Sequence, residues 1–161
     1  MYVSIFLVRV VVTELRRRGV REDALLVRSG ISKEELLDPN HRLPVDRYEV
    51  FLRAARQLAG GDPHTGLHVG ESWPTSGYLV GHLLTNAASI RDGIAIVTRY
   101  RKLVHESMCI RLVEEGDRAH VIYECHSSDE DNAAFEAEAL LVFLLRMGHL
   151  LAGFHRPPTA V

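Results

Sequence analysis

Eight polar-tipped residues interrupt otherwise apolar stretches of the sequence, and they are the side chains best suited to contact a small organic ligand. They are Tyr78, His82, Tyr100, His105, Tyr123, Glu138, Arg146 and His149. Ligand pockets combine an apolar lining with a few polar groups that fix orientation. We therefore expect ligand contacts from His82, Tyr100, His105 and Tyr123. The alternative is that each Tyr or His lies at the edge of the core with its hydroxyl or ring nitrogen already hydrogen-bonded.

Histidine spacing gives little support for a metal site. The chain contains nine histidines, and His64 and His68 are four residues apart, which places two imidazoles on one face of a helix. No glutamate follows His64, so the zinc-hydrolase pattern HExxH is absent. The sequence predicts no metal site.

Patterns for nucleophilic or nucleotide chemistry are also missing. No serine or cysteine lies in a G-x-S-x-G elbow, and Cys125 and His126 are neighbours on a predicted strand, whose side chains point to opposite faces. The glycine pair at positions 60 and 61 is followed by Asp-Pro and not by the glycine spacing and lysine of a phosphate-binding loop. We predict neither an enzyme nor a bound cofactor.

Length and composition indicate one globular domain. The chain has 161 residues, of which 47% are hydrophobic and 25% charged, and this excludes a disordered chain or a small disulfide scaffold. Its net charge of −2 gives no general affinity for nucleic acid. The apolar start is interrupted by Arg9, has no signal-cleavage pattern and is too short to cross a membrane. With two cysteines and no CxxC pair, we expect a cytoplasmic protein without a membrane span.

The clearest structural signal is a β-hairpin at about 108–126. Gly116-Asp117 suits a two-residue type II′ turn. This turn predicts the pairs Leu112 with Val121, Ile110 with Tyr123, Met108 with Cys125, and Cys109 with Glu124. The apolar side chains then share one face, and the thiol of Cys109 points away from Cys125, so no disulfide is expected between them.

Helical periodicity covers most of the remaining chain. Residues 1–12 favour a strand by propensity and a helix by spacing, and we interpret them as a buried helix that ends at the basic run 16–18. A phosphate-binding patch is the alternative for that run. A later helix at about 132–149 is apolar on every side over 140–145, as expected for a central helix. The predicted fold class is α+β, mostly helical, with an antiparallel hairpin packed on this long buried helix.

Three stretches resemble a known family when taken together. They are GISKEELLDP at 30–39 with RLP at 42–44, GDPHTGLHVGE at 61–71, and GHLL at 81–84 with SIRDGI at 89–94. The combination resembles the N-terminal effector domain of AraC-type transcriptional regulators, in its arabinose-binding-like branch. The similarity spans nearly the whole chain. The family usually has Thr-Leu where this chain has Ser89-Ile90, and Ala where it has Gly93.

The resemblance implies a single effector and dimerisation domain at 1–161 that binds a small metabolite. Binding of the metabolite would then change the activity of an attached DNA-binding module. Regulators of this type continue with further strands and a pair of helix-turn-helix motifs, so we expect a domain truncated at its C-terminal end. The expected partners are a small-molecule effector and a second copy in a homodimer, with DNA contacted only through the absent module. The alternative is an oligomerisation module without a ligand, whose apolar stripes meet a partner chain.

Overall fold

A computed structural model describes residues 1–125 and 127–152. Within these residues the chain forms eight helices and two small antiparallel sheets, which confirms the mostly helical α+β class. In chain order the elements are β1 (Tyr2–Ser4), α1 (Ile5–Arg17), α2 (Glu22–Ser29), α3 (Lys33–Leu37), β2 (Arg42–Pro44), α4 (Val45–Leu58), α5 (Thr65–Ser72), α6 (Leu79–Thr85), α7 (Ile90–Val104), β3 (Met108–Glu115), β4 (Arg118–Cys125) and α8 (Glu130–Ala152).

The first residues form a strand before they form a helix. β1 pairs with β2, and Val3 and Leu43, which face each other in this pair, are both fully buried. The helix predicted for this segment therefore begins only at Ile5, after Ser4 caps it by accepting a hydrogen bond from the backbone N–H of Phe6. The pairing of Tyr2–Ser4 with Arg42–Pro44, about 40 residues further along the chain, therefore outweighs the helical spacing of this segment.

The arginine run lies where a helix C-terminus was predicted. Arg16 and Arg17 occupy the last turn of α1, and Gly19 follows with a φ of +89°. Carboxylates neighbour these guanidinium groups, because Arg16 contacts Glu22 at 3.2 Å and Arg18 contacts Asp62 at 2.8 Å. The run thus interacts with the negative end of the helix and with neighbouring acids.

The β3–β4 hairpin has the predicted register, including Ile110 opposite Tyr123 and Cys109 opposite Glu124. Gly116 has a φ of +63°, and no non-glycine residue in the described chain has a positive φ, in keeping with a type II′ turn. The thiol of Cys109 is free. His126, the last residue of the predicted hairpin, lies outside the described residues. β3 packs on α7, where Thr98 donates a hydrogen bond to the carbonyl of Ile110.

The long helix was predicted at about 132–149 and extends over Glu130–Ala152. It contacts β4, and its widest contact is with α5. Gly70 makes that contact close, since a Cβ built on it would lie 2.5 Å from the carbonyl oxygen of Ala139; a Cβ on Gly66 would lie equally close to that of Phe135. Two helices thus meet backbone to backbone. No helix of the described chain is long and apolar enough to cross a membrane.

Candidate ligand-binding site

A cavity lies where α1, α4, α5, α8 and the β3–β4 hairpin meet. Among the described residues, its polar-tipped lining is Tyr48 of α4, Tyr123 of β4, Glu136 of α8, and Trp73, which directly follows α5. The other described residues of the lining are apolar: Leu7, Val10, Val11, Val69, Met108, Phe135, Ala139 and Leu140. An apolar cavity with a few polar groups is the usual form of a small-molecule site.

The cavity is small. The volume open to the centre of a water-sized sphere is about 30 Å³. That is room for about one water molecule. A metabolite fits there only if the lining side chains or the elements that carry them move apart.

A chain of buried hydrogen bonds runs beside the cavity. His105, just after α7, places its Nδ1 3.0 Å from Ser107 Oγ and its Nε2 3.0 Å from Glu136 Oε1. The side chains of His105 and Glu136 are only 3% and 9% exposed. The imidazole thus bridges Ser107 and Glu136, and its tautomer decides which group donates in each contact. The ring of Tyr48 meets the imidazole edge-on at 5.6 Å.

This chain of groups differs from a catalytic triad. In a Ser-His-acid triad the serine is bonded to Nε2 and faces the substrate. Here Ser107 contacts Nδ1, is buried and does not line the cavity. The arrangement holds the end of α7 against α8, and of these three residues Glu136 lines the cavity.

Trp73 lines the cavity, and Arg146 holds its backbone in place through hydrogen bonds. Arg146 of α8 donates hydrogen bonds to the carbonyls of Trp73 and Gly70, at 2.9 and 3.1 Å. These bonds satisfy carbonyls that the end of α5 would otherwise leave unpaired. The indole stacks on Phe143 at 5.0 Å. Its Nε1 is buried and has no hydrogen-bond partner in the part of the chain that the structure describes, which is uncommon for a buried tryptophan.

Tyr78 packs beside this tryptophan, outside the cavity lining. Its ring stacks on Phe6 at 4.0 Å. Burial raises the pKa of the Tyr78 hydroxyl to about 12, and the nearby Trp73 indole N–H opposes that increase. The indole nitrogen does not reach hydrogen-bonding geometry with it. The hydroxyl therefore stays protonated at neutral pH.

A family model described as the N-terminal arabinose-binding domain of the AraC transcription regulator matches residues 19–161. The chain belongs to this family. The resemblance predicted from the three sequence motifs is therefore confirmed. Membership makes the chain a ligand-sensing domain of transcription regulation. No curated protein matches the chain significantly.

One of the four predicted ligand residues lines the cavity of this AraC-type domain, and a second is hydrogen-bonded to a lining residue. Tyr123 lines it, and His105 reaches it through Glu136. His82 is exposed on α6, while Tyr100 is half-buried on α7 with the Arg99 guanidinium 5.5 Å from its ring centre. Neither His82 nor Tyr100 lines the cavity. Ligand contact by all four residues stays a prediction.

Three polar-tipped lining residues of the AraC-type domain were not among the predicted ligand residues. Tyr48 belongs to the apolar stripe of α4, where a tyrosine resembles an ordinary core residue. Trp73 stood out as the only tryptophan, in a turn-rich loop. Glu136 had no local signal, because its partner His105 is 31 residues away. Of the other polar-tipped residues, Arg146 caps α5, and His149 is exposed.

The histidine pair of the AraC-type domain has carboxylate neighbours. His68 lies 3.7 Å from a carboxylate oxygen of both Asp62 and Glu71, and His64 is exposed just before α5. Among residues 1–125 and 127–152, no three histidine, cysteine, aspartate or glutamate side chains converge to hold a metal ion.

Proposed function

We propose that this domain binds a small-molecule effector in the cavity, and that the bound effector controls a DNA-binding module that is not in this sequence. The observation that carries the proposal is the cavity, which has four polar-tipped residues in an apolar lining and lies at the junction of five structural elements. The family description names arabinose, so that sugar is one ligand to be tested.

The small size of the cavity couples ligand binding to a change in the conformation of the domain. A ligand shifts a conformational equilibrium only if it binds the two states unequally. Because the cavity has room for about one water molecule, a larger effector favours a state in which its walls are further apart. The walls include both strands of the hairpin and α8, so binding would change how these elements pack.

Within this proposal, Tyr123 and Glu136 contact the effector, and His105 holds Glu136 in place. Tyr48 and Trp73 complete the set of polar-tipped groups. His82 and Tyr100 contribute only if the effector binds elsewhere on the domain.

Isothermal titration calorimetry against a metabolite panel that includes arabinose tests the proposal. Tyr123→Phe removes the hydroxyl and keeps the ring, and we expect it to weaken binding by about 1 kcal/mol, the usual worth of one hydrogen bond. Tyr100→Phe is the matched control, because Tyr100 is also half-buried but does not line the cavity.

The two variants separate the possible results. A ligand whose affinity falls in Tyr123→Phe and not in Tyr100→Phe supports the cavity. Loss of affinity in Tyr100→Phe alone locates the ligand elsewhere, and a panel without any ligand that depends on Tyr123 counts against the proposed function.

We further propose that the domain forms a homodimer through the exposed apolar side chains of α6 and α8. Leu150 is 63% exposed, and Leu145 and Leu79 are also exposed. α6 and α8, which carry these leucines, pack against each other, and large exposed apolar side chains are common at interaction surfaces. Sedimentation velocity of the wild type and of Leu150→Lys tests this: we expect a dimer that the variant weakens. A monomeric wild type contradicts both the dimer and the alternative of a pure oligomerisation module.

A further inference from the structure

We propose that the outer edge of strand β4 is a self-association surface, at which β4 of one copy pairs antiparallel with β4 of a second copy around Val121. The two hairpins then form one continuous four-stranded sheet. The inference goes beyond the proposed function, because it does not involve the effector and concerns a surface other than the exposed leucines of α6 and α8.

The β3–β4 hairpin has an open edge. Its sheet contains only β3 and β4 in the part of the chain that the structure describes. β3 packs on α7, whereas no strand of the described chain pairs with the outer edge of β4. The edge of a strand presents a row of backbone N–H and C=O groups that can pair with a strand of another chain. β4 therefore offers a template for strand addition.

β4 lacks the features that usually protect such an edge. Protected edge strands are very short, carry lysine or proline, or are interrupted by a bulge. β4 has eight residues without lysine or proline, and its pairing with β3 is continuous from Arg118 to Cys125. Val121, in the middle of the strand, is 38% exposed. A regular edge with an exposed apolar centre favours pairing with another strand.

The backbone groups of Val121 point towards this open edge. The carbonyls of Met108 and Ile110 accept hydrogen bonds from side chains of α7, so they point away from β4. In an antiparallel pair this direction alternates from residue to residue, so the backbone groups of Leu112 also point away from β4. Val121 lies opposite Leu112 and therefore points its N–H and C=O outward. A two-fold axis at Val121 lets the two copies of this residue exchange both hydrogen bonds.

The charges at the two ends of β4 are complementary in this register. An antiparallel pair centred on Val121 places Arg118 of each copy opposite Glu124 of the other. Within one copy, Glu115 lies opposite Arg118, and Glu124 forms an ion pair with Arg111. Because all four charged residues share one face of the hairpin, acidic and basic side chains alternate across the four strands. Opposite charges on neighbouring strands stabilise a sheet.

The interface is small. It pairs seven residues of each chain, and small interfaces belong to weak or transient complexes. We therefore expect association through β4 to be weaker than the dimer proposed for α6 and α8 and to appear at higher protein concentration. Since each copy then has two different two-fold interfaces, dimers can join into larger assemblies.

Disulfide trapping tests the register. The parent variant carries Cys109→Ser and Cys125→Ser, which remove the native thiols, and Leu150→Lys, which weakens association through α6 and α8. Adding Val121→Cys places two thiols opposite each other at the two-fold axis. The Cα atoms of such a pair lie about 5.5 Å apart, a separation that a disulfide spans.

His120→Cys in the same parent is the matched control. His120 is adjacent to Val121 and is also exposed, but in the proposed register it lies opposite Ile122 of the second copy. Two cysteines at position 120 are then beyond the roughly 7 Å limit for a bridge. Under mild oxidation we expect the linked dimer to form at least roughly ten-fold faster in Val121→Cys than in His120→Cys.

Sedimentation equilibrium over a concentration series gives a second measurement. Val121→Lys, added to Leu150→Lys alone, places two ammonium groups opposite each other, and like charges in that position destabilise a strand pair. We expect the association constant to fall at least roughly ten-fold relative to Leu150→Lys, while His120→Lys keeps it within about two-fold. Circular dichroism shows whether each variant is folded.

Each result either supports or overturns the inference. Selective trapping of Val121→Cys together with weaker association in Val121→Lys supports the β4 interface. Equal trapping at positions 120 and 121, no trapping at either, or an unchanged association constant in Val121→Lys overturns it. The effector site and the α6–α8 dimer are unaffected by such a failure, because ligand titration and the effect of Leu150→Lys on the wild type test them separately.

Discussion

His105 Nε2 lies 3.0 Å from Glu136 Oε1, and this contact joins two parts of the chain that are 31 residues apart. The backbone of His105 also forms a bridge with Val3, and the next residue, Glu106, donates its N–H to the carbonyl of Tyr2 at 3.0 Å. The end of α7, the strand β1 and the N-terminal third of α8 are therefore held together at one point beside the cavity.

Removing the imidazole should destabilise the domain strongly. His105→Ala removes the imidazole from the buried Glu136 carboxylate and from Ser107, and leaving a buried polar group without one of its partners costs about 1–3 kcal/mol. The measurement is the free energy of unfolding in urea. His82→Ala is the control, because His82 is exposed, and surface substitutions change stability by at most about 0.5 kcal/mol. A similar decrease in the free energy of unfolding in both variants would mean that the contact between His105 and Glu136 does not stabilise the domain.

Arg146 should control the environment of Trp73. Arg146→Met removes the two hydrogen bonds to the end of α5, and bonds from a charged donor contribute about 1.5–3 kcal/mol. Since Trp73 is the only tryptophan, its fluorescence reports on this site alone, and we expect a shift of the emission to longer wavelength. Arg91→Met, which breaks the exposed pair with Glu114, should leave the spectrum unchanged. An unshifted spectrum in Arg146→Met would contradict the prediction.

Two glycine-to-alanine variants should change stability in opposite directions. Gly70→Ala introduces a Cβ 2.5 Å from the carbonyl oxygen of Ala139, so the helices must separate, at a cost of about 1–3 kcal/mol. In Gly148→Ala the nearest atom is 3.7 Å away, on Ile90, and the gain in helix propensity should stabilise by about 0.5–1 kcal/mol. Thermal unfolding of both variants checks the pair. A Gly70→Ala variant as stable as the wild type would disprove the close contact.

Glu35 should contribute stability that depends on pH. Hydrogen bonds from the Arg47 guanidinium and from the backbone N–H of Ser32 lower the pKa of its carboxyl from 4.5 to about 2. Because the folded pKa is below the ordinary value, this contribution is complete above about pH 4.5 and is lost as the pH falls towards 2. Glu35→Gln should be less stable than the wild type by about 1–3 kcal/mol at pH 7.

Urea unfolding of both proteins across this pH range provides the measurement. The difference in the free energy of unfolding should shrink as the pH falls, since the wild-type carboxyl becomes protonated and resembles the glutamine. A difference that stays constant from pH 7 to acid would show that ionisation of Glu35 has no part in it.

The hairpin could be predicted in detail because its register depends on local information. A two-residue turn at Gly116 and alternating apolar residues fix which side chains face each other, and every predicted pair is observed. The caps of α3 and α7 were predictable for the same reason, since Ser32 and Ser89 each bind an N–H three residues away.

The strand β1 and the cavity depend on contacts between distant parts of the chain. Val3 pairs with Leu43, and nothing in the first three residues indicates that partner. Tyr123 could be proposed from its polar tip on an apolar strand, but the approach of Glu136 and Trp73 to it depends on how α8 and α5 pack. One sequence carries no direct signal for such packing.

The glycine contact between α5 and α8 also limits how the domain can change shape. Because Gly66 and Gly70 bring two backbones together, these helices have little freedom to slide and behave as one rigid wall. Any expansion that admits a ligand should then come from the other walls of the cavity, which are formed by α1, α4 and the hairpin. The conformational change on ligand binding should therefore occur in the hairpin and the N-terminal helix, while α5 and α8 keep their relative position.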